Sequence, residues 1–265
     1  LSKLGIEIRY ADPSDPKNFE KAIDNKPRAF YGETLPNPYL RVFPIKEVSD
    51  IGRKYNIPLI MDNTAAPVIC KPIEHGAAVV IHSLTKYIGG HSDTLGGAVL
   101  CKDAELHERL MLYQRQGGAI MSPFDAYLAQ RGLYTLGPRI KLHSENAHKL
   151  AEYLDSSDHI KEVRYPGLKN YENHTIAVKQ MDYFGGMLSF YLEDNINQEK
   201  FWQSLELYKL PVSLGGVETL IELPYLMTHD KAQDTDASAP IDLIRISTGL
   251  ENIEDLIQDM ESALN

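Results

Sequence analysis

The sequence predicts an α/β domain with a mainly parallel sheet, followed by a smaller α+β domain. Short apolar runs alternate with helical stretches over the first half of the chain, which is typical of parallel strands buried on both faces. Beyond about residue 154 the pattern is α+β, and Gly137 and Pro138 interrupt the long helical stretch that leads to it. We therefore predict a large domain over residues 1–137 and a smaller one over residues 138–265.

Five short runs in the first half predict strands. They cover residues 5–10, 27–31, 58–61, 77–81 and 97–101. The first rests on alternation of apolar and polar side chains, and the last three are near-continuous apolar runs. A helix over residues 44–55 is predicted because Ile45, Val48, Ile51 and Tyr55 fall on one helical face.

The second half predicts longer helices and a second set of strands. A helix begins at residue 104, and another begins with Ser122 as its N-cap and Pro123 in the first helical position. The remaining elements are strands over residues 161–164, 187–192, 219–221 and 242–246, and helices over residues 174–181, 197–206 and from 253 onward.

Composition argues against several classes of function. The net charge of −10 opposes a nucleic-acid surface, which needs clustered Lys and Arg. No apolar run reaches the roughly 18 residues that a membrane span requires. The two cysteines give neither a disulfide framework nor metal-ligand spacing, so no metal is expected. No signal or transit pattern is present, and we expect a cytoplasmic location.

Polar side chains follow two of the predicted parallel strands, where each strand ends. Asp62 and Thr64 come after one strand, and Ser83, Thr85 and Lys86 come after the next. In open α/β sheets, ligands bind in the crevice outside the carboxyl ends of the strands. Taken singly, Asp62 and Thr64 are also typical of a helix cap or turn, and a lone lysine is usually solvated. Their joint arrangement favours a ligand site.

The runs that carry a family resemblance span nearly the whole chain. They are DNT (62–64), PIEHG (72–76), HSLTKYIGGH (82–91), MSPFD (121–125), SLGG (213–216), MTH (227–229) and LIRISTG (243–249). In this order they resemble the Cys/Met-metabolism family of pyridoxal-phosphate enzymes. The family includes cystathionine γ-synthase, cystathionine γ-lyase, methionine γ-lyase and O-acetylhomoserine sulfhydrylase. The resemblance implies fold type I of these enzymes.

The resemblance also implies roles toward pyridoxal 5′-phosphate. Lys86 resembles the lysine that binds the cofactor as a Schiff base and later moves protons, and Asp62 resembles the partner of the pyridine nitrogen. Ser83 and Thr85 resemble the hydroxyls that bind the cofactor phosphate. Asn37 resembles the residue near the cofactor 3′-oxygen, and Thr64 belongs to the same row.

Two further residues resemble groups that contact the substrate, a small amino acid. Arg245 resembles the arginine that binds the α-carboxylate through a bidentate fork. Ser213 lies in the loop that faces this carboxylate and the lysine. Taken alone, Arg245 is also compatible with an exposed edge-strand arginine, and Ser213 with a hydroxyl that caps a loop.

The resemblance implies chemistry at Cγ of a homocysteine- or homoserine-derived amino acid. Val212 stands where synthases and cystathionine lyases usually carry a glutamate, as it does in methionine γ-lyases. We therefore expect γ-elimination, of the methionine or cystathionine γ-lyase type, or a substrate other than cystathionine. The alternative is γ-replacement, as in cystathionine γ-synthase or O-acetylhomoserine sulfhydrylase.

The family pattern continues before the position of Leu1. It implies an N-terminal part that would complete the phosphate site and the large domain, and a homo-oligomer (a dimer of dimers) with sites at subunit interfaces. The remaining alternative is therefore an incomplete, non-catalytic subunit or fragment. A yellow chromophore that borohydride fixes on Lys86 would distinguish the two.

Overall fold

The first half of the protein is built on a four-stranded mixed sheet. The computed structural model describes residues 2–24, 27–210, 212–227 and 240–265. The strands are β1 (Phe30–Glu33), β2 (Leu59–Asp62), β3 (Val79–Ser83) and β4 (Gly97–Cys101). Their order is β1-β2-β3-β4, with two parallel pairings followed by one antiparallel pairing. The predicted mainly parallel sheet is confirmed.

The helices of this half flank the sheet. They are α1 (Lys17–Lys21), α2 (Ile45–Tyr55), α3 (Ala104–Gly117), α4 (Pro123–Leu133) and α5 (Leu136–Asp155), with a 3₁₀ turn at Ser2–Leu4 and a π-helical turn at Leu84–Ile88. The prediction of a strand over residues 5–10 is wrong. Its alternating side chains Ile6, Ile8 and Tyr10 are exposed, and within the described residues this segment pairs with no strand. Without a neighbour to bond its backbone, alternation alone does not make a strand.

The second half contains a separate, wholly antiparallel sheet. Its strands are β5 (Ile160–Arg164), β6 (Met187–Leu192), β7 (Leu220–Glu222) and β8 (Ile244–Ser247), in the order β5-β6-β8-β7. The accompanying helices are α6 (His174–Gln180), α7 (Gln198–Ser204), α8 (Pro224–Met227) and α9 (Ile253–Leu264). Part of the predicted MTH motif, Thr228 and His229, lies outside the described residues.

The long helical stretch divides slightly earlier than predicted. Ser122 caps α4, since its hydroxyl accepts a hydrogen bond from the Asp125 N–H at 3.1 Å, and Pro123 is the first helical residue, as predicted. The break falls at residues 134–135, ahead of Pro138. Pro138 lies in the first turn of α5, where the missing N–H leaves no intrahelical bond unmade.

Helix α5 joins the two hydrophobic cores. Leu136 and Ile140 pack in the core beneath the mixed sheet, whereas Leu150 and Leu154 pack beneath the antiparallel sheet. A division of the chain near residue 138 stays a prediction, since one continuous helix contributes to both cores. Among the described helices, none has both the length and the apolar character needed to span a membrane.

Candidate active site

Asp62, Thr64 and Ser83 meet at one edge of the mixed sheet. Asp62 ends β2 and Ser83 ends β3, and these neighbouring parallel strands point in the same direction. The Thr64 N–H donates to Asp62 Oδ1 at 2.9 Å, and the Ser83 N–H donates to Thr64 Oγ1 at 2.8 Å. Two successive hydrogen bonds therefore fix the acid and the two hydroxyl residues relative to one another.

Asn63 has a structural part in the same segment. It is almost fully buried, and its amide oxygen accepts a hydrogen bond from the Thr34 hydroxyl at 2.8 Å. Its amide nitrogen donates to the carbonyls of Ala66 and Cys70 at 3.1 and 2.9 Å. The buried Asn63 side chain satisfies the backbone carbonyls of the turn after β2. Its neighbours Asp62 and Thr64 are half-buried and are therefore the residues available to a ligand.

The π-helical turn that carries Lys86 begins directly after β3. Lys86 interrupts its helical geometry, with φ −95° and ψ −133°. The Leu84 N–H donates to the Gly96 carbonyl at 2.9 Å, and Thr85 Oγ1 accepts from the Gly96 N–H at 3.1 Å. The turn is thus held against the residue that precedes β4, and the Thr85 hydroxyl retains its own hydrogen for a ligand.

Lys86 is directed toward the loop before β7. Its Nζ donates a hydrogen bond to the Ser213 hydroxyl at 3.3 Å. Burial lowers the pKa of Lys86, and the positive charge of Arg245 lowers it further, while Glu222 acts in the opposite direction. This environment favours the neutral amine, which is the form that can act as a base or nucleophile.

Arg245 lies on β8 and is 2% exposed, and its guanidinium is already engaged within the protein. Nη2 donates to the Ser213 carbonyl at 2.6 Å, and Nη1 lies 3.0 Å from Oε1 of Glu222. Nε is buried and has no hydrogen-bond partner in the part of the chain that the structure describes. The reading of Arg245 as an exposed edge arginine is wrong, because β8 lies inside its sheet between β6 and β7.

Glu222 escaped the sequence analysis. It ends β7 and is fully buried. A signal was present, since a glutamate within the apolar run of β7 and Leu223 requires a buried partner. The identity of that partner was not readable, because Arg245 is distant in sequence and meets Glu222 only through the pairing of β7 with β8.

Asn37 lies in the segment after β1, next to a residue that is hydrogen-bonded to β6. Its Oδ1 is buried and has no hydrogen-bond partner among the described residues, whereas buried side-chain polar atoms are normally paired with protein, water or a ligand. The next residue is fixed by Ser189, whose hydroxyl donates to the Pro38 carbonyl at 2.8 Å. Ser189 is the residue on β6 that pairs with Arg245, so Asn37 is anchored beside the strand that carries this arginine.

Arg139 on α5 stabilises the π-helical turn that carries Lys86, and no motif in the sequence marks this arginine. Its guanidinium donates to the carbonyls of Tyr87, Ile88 and Gly132 at 2.8, 3.2 and 2.8 Å. Gly90 permits this approach, because a Cβ there would lie 2.2 Å from Arg139 Nη1 and φ is +76°. The clamp fixes the backbone on the C-terminal side of Lys86.

The fold and this site define a class of protein: an α/β domain in which an acid ends one parallel strand and a partly buried lysine with a lowered pKa follows the neighbouring strand. The whole chain, residues 1–265, matches the family model described as Cys/Met metabolism PLP-dependent enzyme. The chain belongs to this family. The predicted family, its pyridoxal-phosphate cofactor and its enzymatic class are confirmed.

Individual relatives agree on the family but differ in reaction. Cystathionine beta-lyase of Lactococcus lactis subsp. cremoris is 44% identical over 268 residues, covering 100% of this chain and 70% of the relative. Cystathionine gamma-synthase of Mycobacterium leprae is 41% identical, covering 100% and 69%. The structure of cystathionine gamma-lyase from Lactobacillus plantarum complexed with L-serine matches with a TM-score of 0.95 at 36% identity, covering 99% and 70%. The type I fold is confirmed, and the chain spans about 70% of its curated relatives.

The residues present fit pyridoxal phosphate. The cofactor needs an amine for its aldehyde, an acid for its ring nitrogen, and donors for its phosphate and ring oxygen. Lys86, Asp62 and the hydroxyls of Ser83 and Thr85 lie at one sheet edge. Asn37 contributes a buried amide, whose NH2 group is the donor that a ring oxygen needs, while its acceptor Oδ1 has no hydrogen-bond partner among the described residues.

Replacing Gly90 by alanine tests the clamp on the lysine turn. The new Cβ would displace the Arg139 guanidinium, and the alanine would be held in a left-handed backbone conformation. We therefore expect Gly90→Ala to lower the free energy of unfolding by about 2 kcal/mol or more. Gly117→Ala is the matched control, because nothing lies within 4 Å of a Cβ there. Urea unfolding of both variants provides the measurement, and equal stabilities would contradict the clamp.

His143 predicts a pH-dependent stability. It is fully buried, its Nδ1 lies 2.7 Å from the Thr248 carbonyl, and burial lowers its pKa from 6.5 to about 4. Below pH 6.5 the unfolded chain binds a proton that the folded protein does not, so stability falls until about pH 4. The full loss is about 3 kcal/mol.

Replacing His143 by glutamine tests how much its titration contributes to the pH dependence of stability. We expect His143→Gln to flatten the decline in the free energy of unfolding between pH 6.5 and 4, measured by urea unfolding at each pH. His107→Gln, at an exposed position on α3, should keep the wild-type profile. A His143→Gln profile parallel to the wild type would show that His143 does not titrate this way.

Proposed function

We propose that Lys86 binds pyridoxal phosphate and that the protein cleaves the C–S bond of a sulfur amino acid by γ-elimination. The observation that carries the proposal is the amine of Lys86, which has a lowered pKa and contacts Ser213 at the sheet edge occupied by Asp62. When bound, the cofactor supplies an electron sink for the charge left at Cα.

The residues around Lys86 would hold the cofactor. Asp62 would bind the pyridine nitrogen through its carboxylate, and a carboxylate keeps that nitrogen protonated. Ser83 and Thr85 would donate their hydroxyl hydrogens to the phosphate, whose oxygens are strong acceptors. Asn37 would bind the ring oxygen through its amide, and Thr64 would act by fixing Ser83.

Arg245 and Ser213 would bind the substrate. A guanidinium matches the geometry of an α-carboxylate, and Arg245 is fixed beside the lysine through the carbonyl of Ser213. The Ser213 hydroxyl contacts Lys86 Nζ, so it orients the amine toward the same space. Substrate carboxylate and base are thereby brought to one side of the crevice.

Proton transfer by Lys86 would drive the elimination. The neutral amine would remove a proton from Cα and deliver it to the bound cofactor. Neutral again, it would remove a proton from Cβ, and the sulfur at Cγ would leave as a thiolate. A base is effective when its pKa lies near the working pH, and burial beside Arg245 moves Lys86 in that direction. Exclusion of water from the crevice would strengthen these interactions.

The identity of residue 212 favours elimination at Cγ over replacement. Val212 gives no charge to the loop, whereas a glutamate there would offer an acid to the amino group of a second substrate. The second candidate is elimination at Cβ, which requires only Cα proton removal. It is favoured by the name of the 44% identical relative, cystathionine beta-lyase.

Incubation with L-cystathionine distinguishes these reactions. Cleavage at Cγ with uptake of water yields cysteine, 2-oxobutanoate and ammonia, whereas cleavage at Cβ yields homocysteine, pyruvate and ammonia. We expect 2-oxobutanoate, identified by mass spectrometry of the oxo acid. Pyruvate would contradict our proposal and support elimination at Cβ. When a second thiol is added to the incubation, its incorporation without any oxo acid would indicate γ-replacement.

Variants at Lys86 test the residue assignment. We expect Lys86→Ala to lose product formation by at least about a hundredfold, because the proton carrier is removed. Borohydride treatment with pyridoxal phosphate should add mass to the peptide that contains Lys86. The control is Lys71→Ala, at an exposed position, which should keep both properties. Mass added equally at other lysines, with product retained in Lys86→Ala, would contradict the assignment.

The assembly is part of the proposal. We expect a homo-oligomer built as a dimer of dimers. Exposed apolar side chains on β4, α3 and α4 support this expectation, among them Val99, Leu112 and Phe124. A strictly monomeric protein that forms no chromophore would favour the alternative of a non-catalytic subunit.

A further inference from the structure

A buried ion pair lies directly behind the lysine and its serine. Glu222 is 0% exposed and Arg245 is 2% exposed. Their contact, Nη1 to Oε1, is 3.0 Å. Burying two charges is costly unless the geometry is good, and removing one partner leaves the other uncompensated. A pair so deeply buried requires a reason beyond stability.

The strand register explains how the pair is positioned. Glu222 pairs directly with Arg245 across β7 and β8, and on the other side of β8 Arg245 pairs with Ser189 of β6. The guanidinium therefore projects from an inner strand and cannot swing toward solvent. Its Nη1 is directed to Glu222 and its Nη2 to the Ser213 carbonyl, which leaves Nε without a hydrogen-bond partner.

We propose that Glu222 is the positioning residue for Arg245: its carboxylate fixes the guanidinium so that the unpartnered donor edge is presented to the α-carboxylate of the amino-acid substrate beside Lys86. This proposal rests on the proposed function, since it assumes an amino-acid substrate. Glu222 does not touch the substrate, and it acts through Arg245.

The same pair sets the charge balance at the lysine. Arg245 lowers the pKa of Lys86 and Glu222 raises it. Among the described residues, Tyr87 is the other titratable group that acts on Arg245. Loss of the Glu222 charge leaves the arginine charge uncompensated. The ammonium form of Lys86 is then less stable, so its pKa falls.

Glu222→Gln removes the charge and keeps the shape of the side chain. The first measurement is the pH dependence of Lys86 acetylation by limiting acetic anhydride in the cofactor-free full chain, quantified by peptide mass spectrometry. The second is KM and kcat for L-cystathionine in the holoprotein. We expect the acetylation midpoint of Lys86 to move down by about half a pH unit or more. We also expect KM to rise about tenfold, with a smaller change in kcat.

Glu251→Gln is the matched control. Glu251 is a half-buried carboxylate beside the same strand, where it accepts hydrogen bonds from the Thr219 N–H at 2.6 Å and the Thr219 hydroxyl at 2.8 Å. We expect Glu251→Gln to lower the free energy of unfolding and to leave the midpoint of Lys86 acetylation unchanged. If Glu222→Gln fails to fold, Glu222→Gln/Arg245→Gln removes both charges together and is compared with Arg245→Gln alone. In that comparison too, loss of the Glu222 charge should lower the Lys86 midpoint, so the double variant should have the lower value.

The outcomes separate this proposal from the proposed function. A wild-type protein that forms no product contradicts the proposed function, while the Lys86 midpoint still reports on Glu222. An active wild type whose midpoint and KM are unchanged in Glu222→Gln overturns the positioning role. A midpoint shift of equal size in Glu251→Gln would also overturn it, because the effect would then be non-specific.

Discussion

The position of the Lys86 backbone is the constraint on which the site depends. The turn after β3 is tied on three sides: Ser83 to Thr64 of the preceding loop, Thr85 to Gly96 before β4, and the carbonyls of Tyr87 and Ile88 to Arg139 of α5. Each tie comes from a different element. A lysine has four rotatable carbon–carbon bonds, so its amine can be placed precisely only if its backbone is rigid. The fold supplies that rigidity before any ligand binds.

Arg139 and Arg245 are both buried, and the protein compensates their charges in different ways. Arg139 is surrounded by carbonyl oxygens and a threonine hydroxyl, and its role is to close the turn. Arg245 is paired with a fully buried carboxylate, and one of its donors remains without a partner. A guanidinium whose N–H donors are nearly all hydrogen-bonded within the protein stabilises the fold, whereas one with an unpaired donor is suited to bind a ligand. The difference supports Arg245, rather than Arg139, as the substrate-binding arginine.

Much of the fold was predictable because its information is local. The helix over α2, the cap at Ser122 and the strand that ends at Asp62 follow from periodicity and end signals within a few residues. The prediction for residues 5–10 failed because pairing requires a neighbouring strand, which alternation does not specify. The candidate site divides in the same way. Lys86 and Asp62 were visible at strand ends, while Glu222 and Arg139 gain their meaning from partners far away in sequence.

The type I fold and the lysine do not by themselves choose between Cβ and Cγ chemistry. Both begin with removal of the Cα proton, which needs a neutral amine, and burial shifts the pKa of Lys86 in the direction that favours this form. Elimination at Cγ needs a second transfer, from Cβ, by the same amine. Lys86 must therefore stay mobile enough to reach two carbons while its backbone is held, and the Ser213 hydroxyl at 3.3 Å is a weak, reversible restraint of that kind. The loop that contains Val212 and Ser213 is consequently where we expect the reaction to be selected, since Ser213 contacts both the lysine and Arg245.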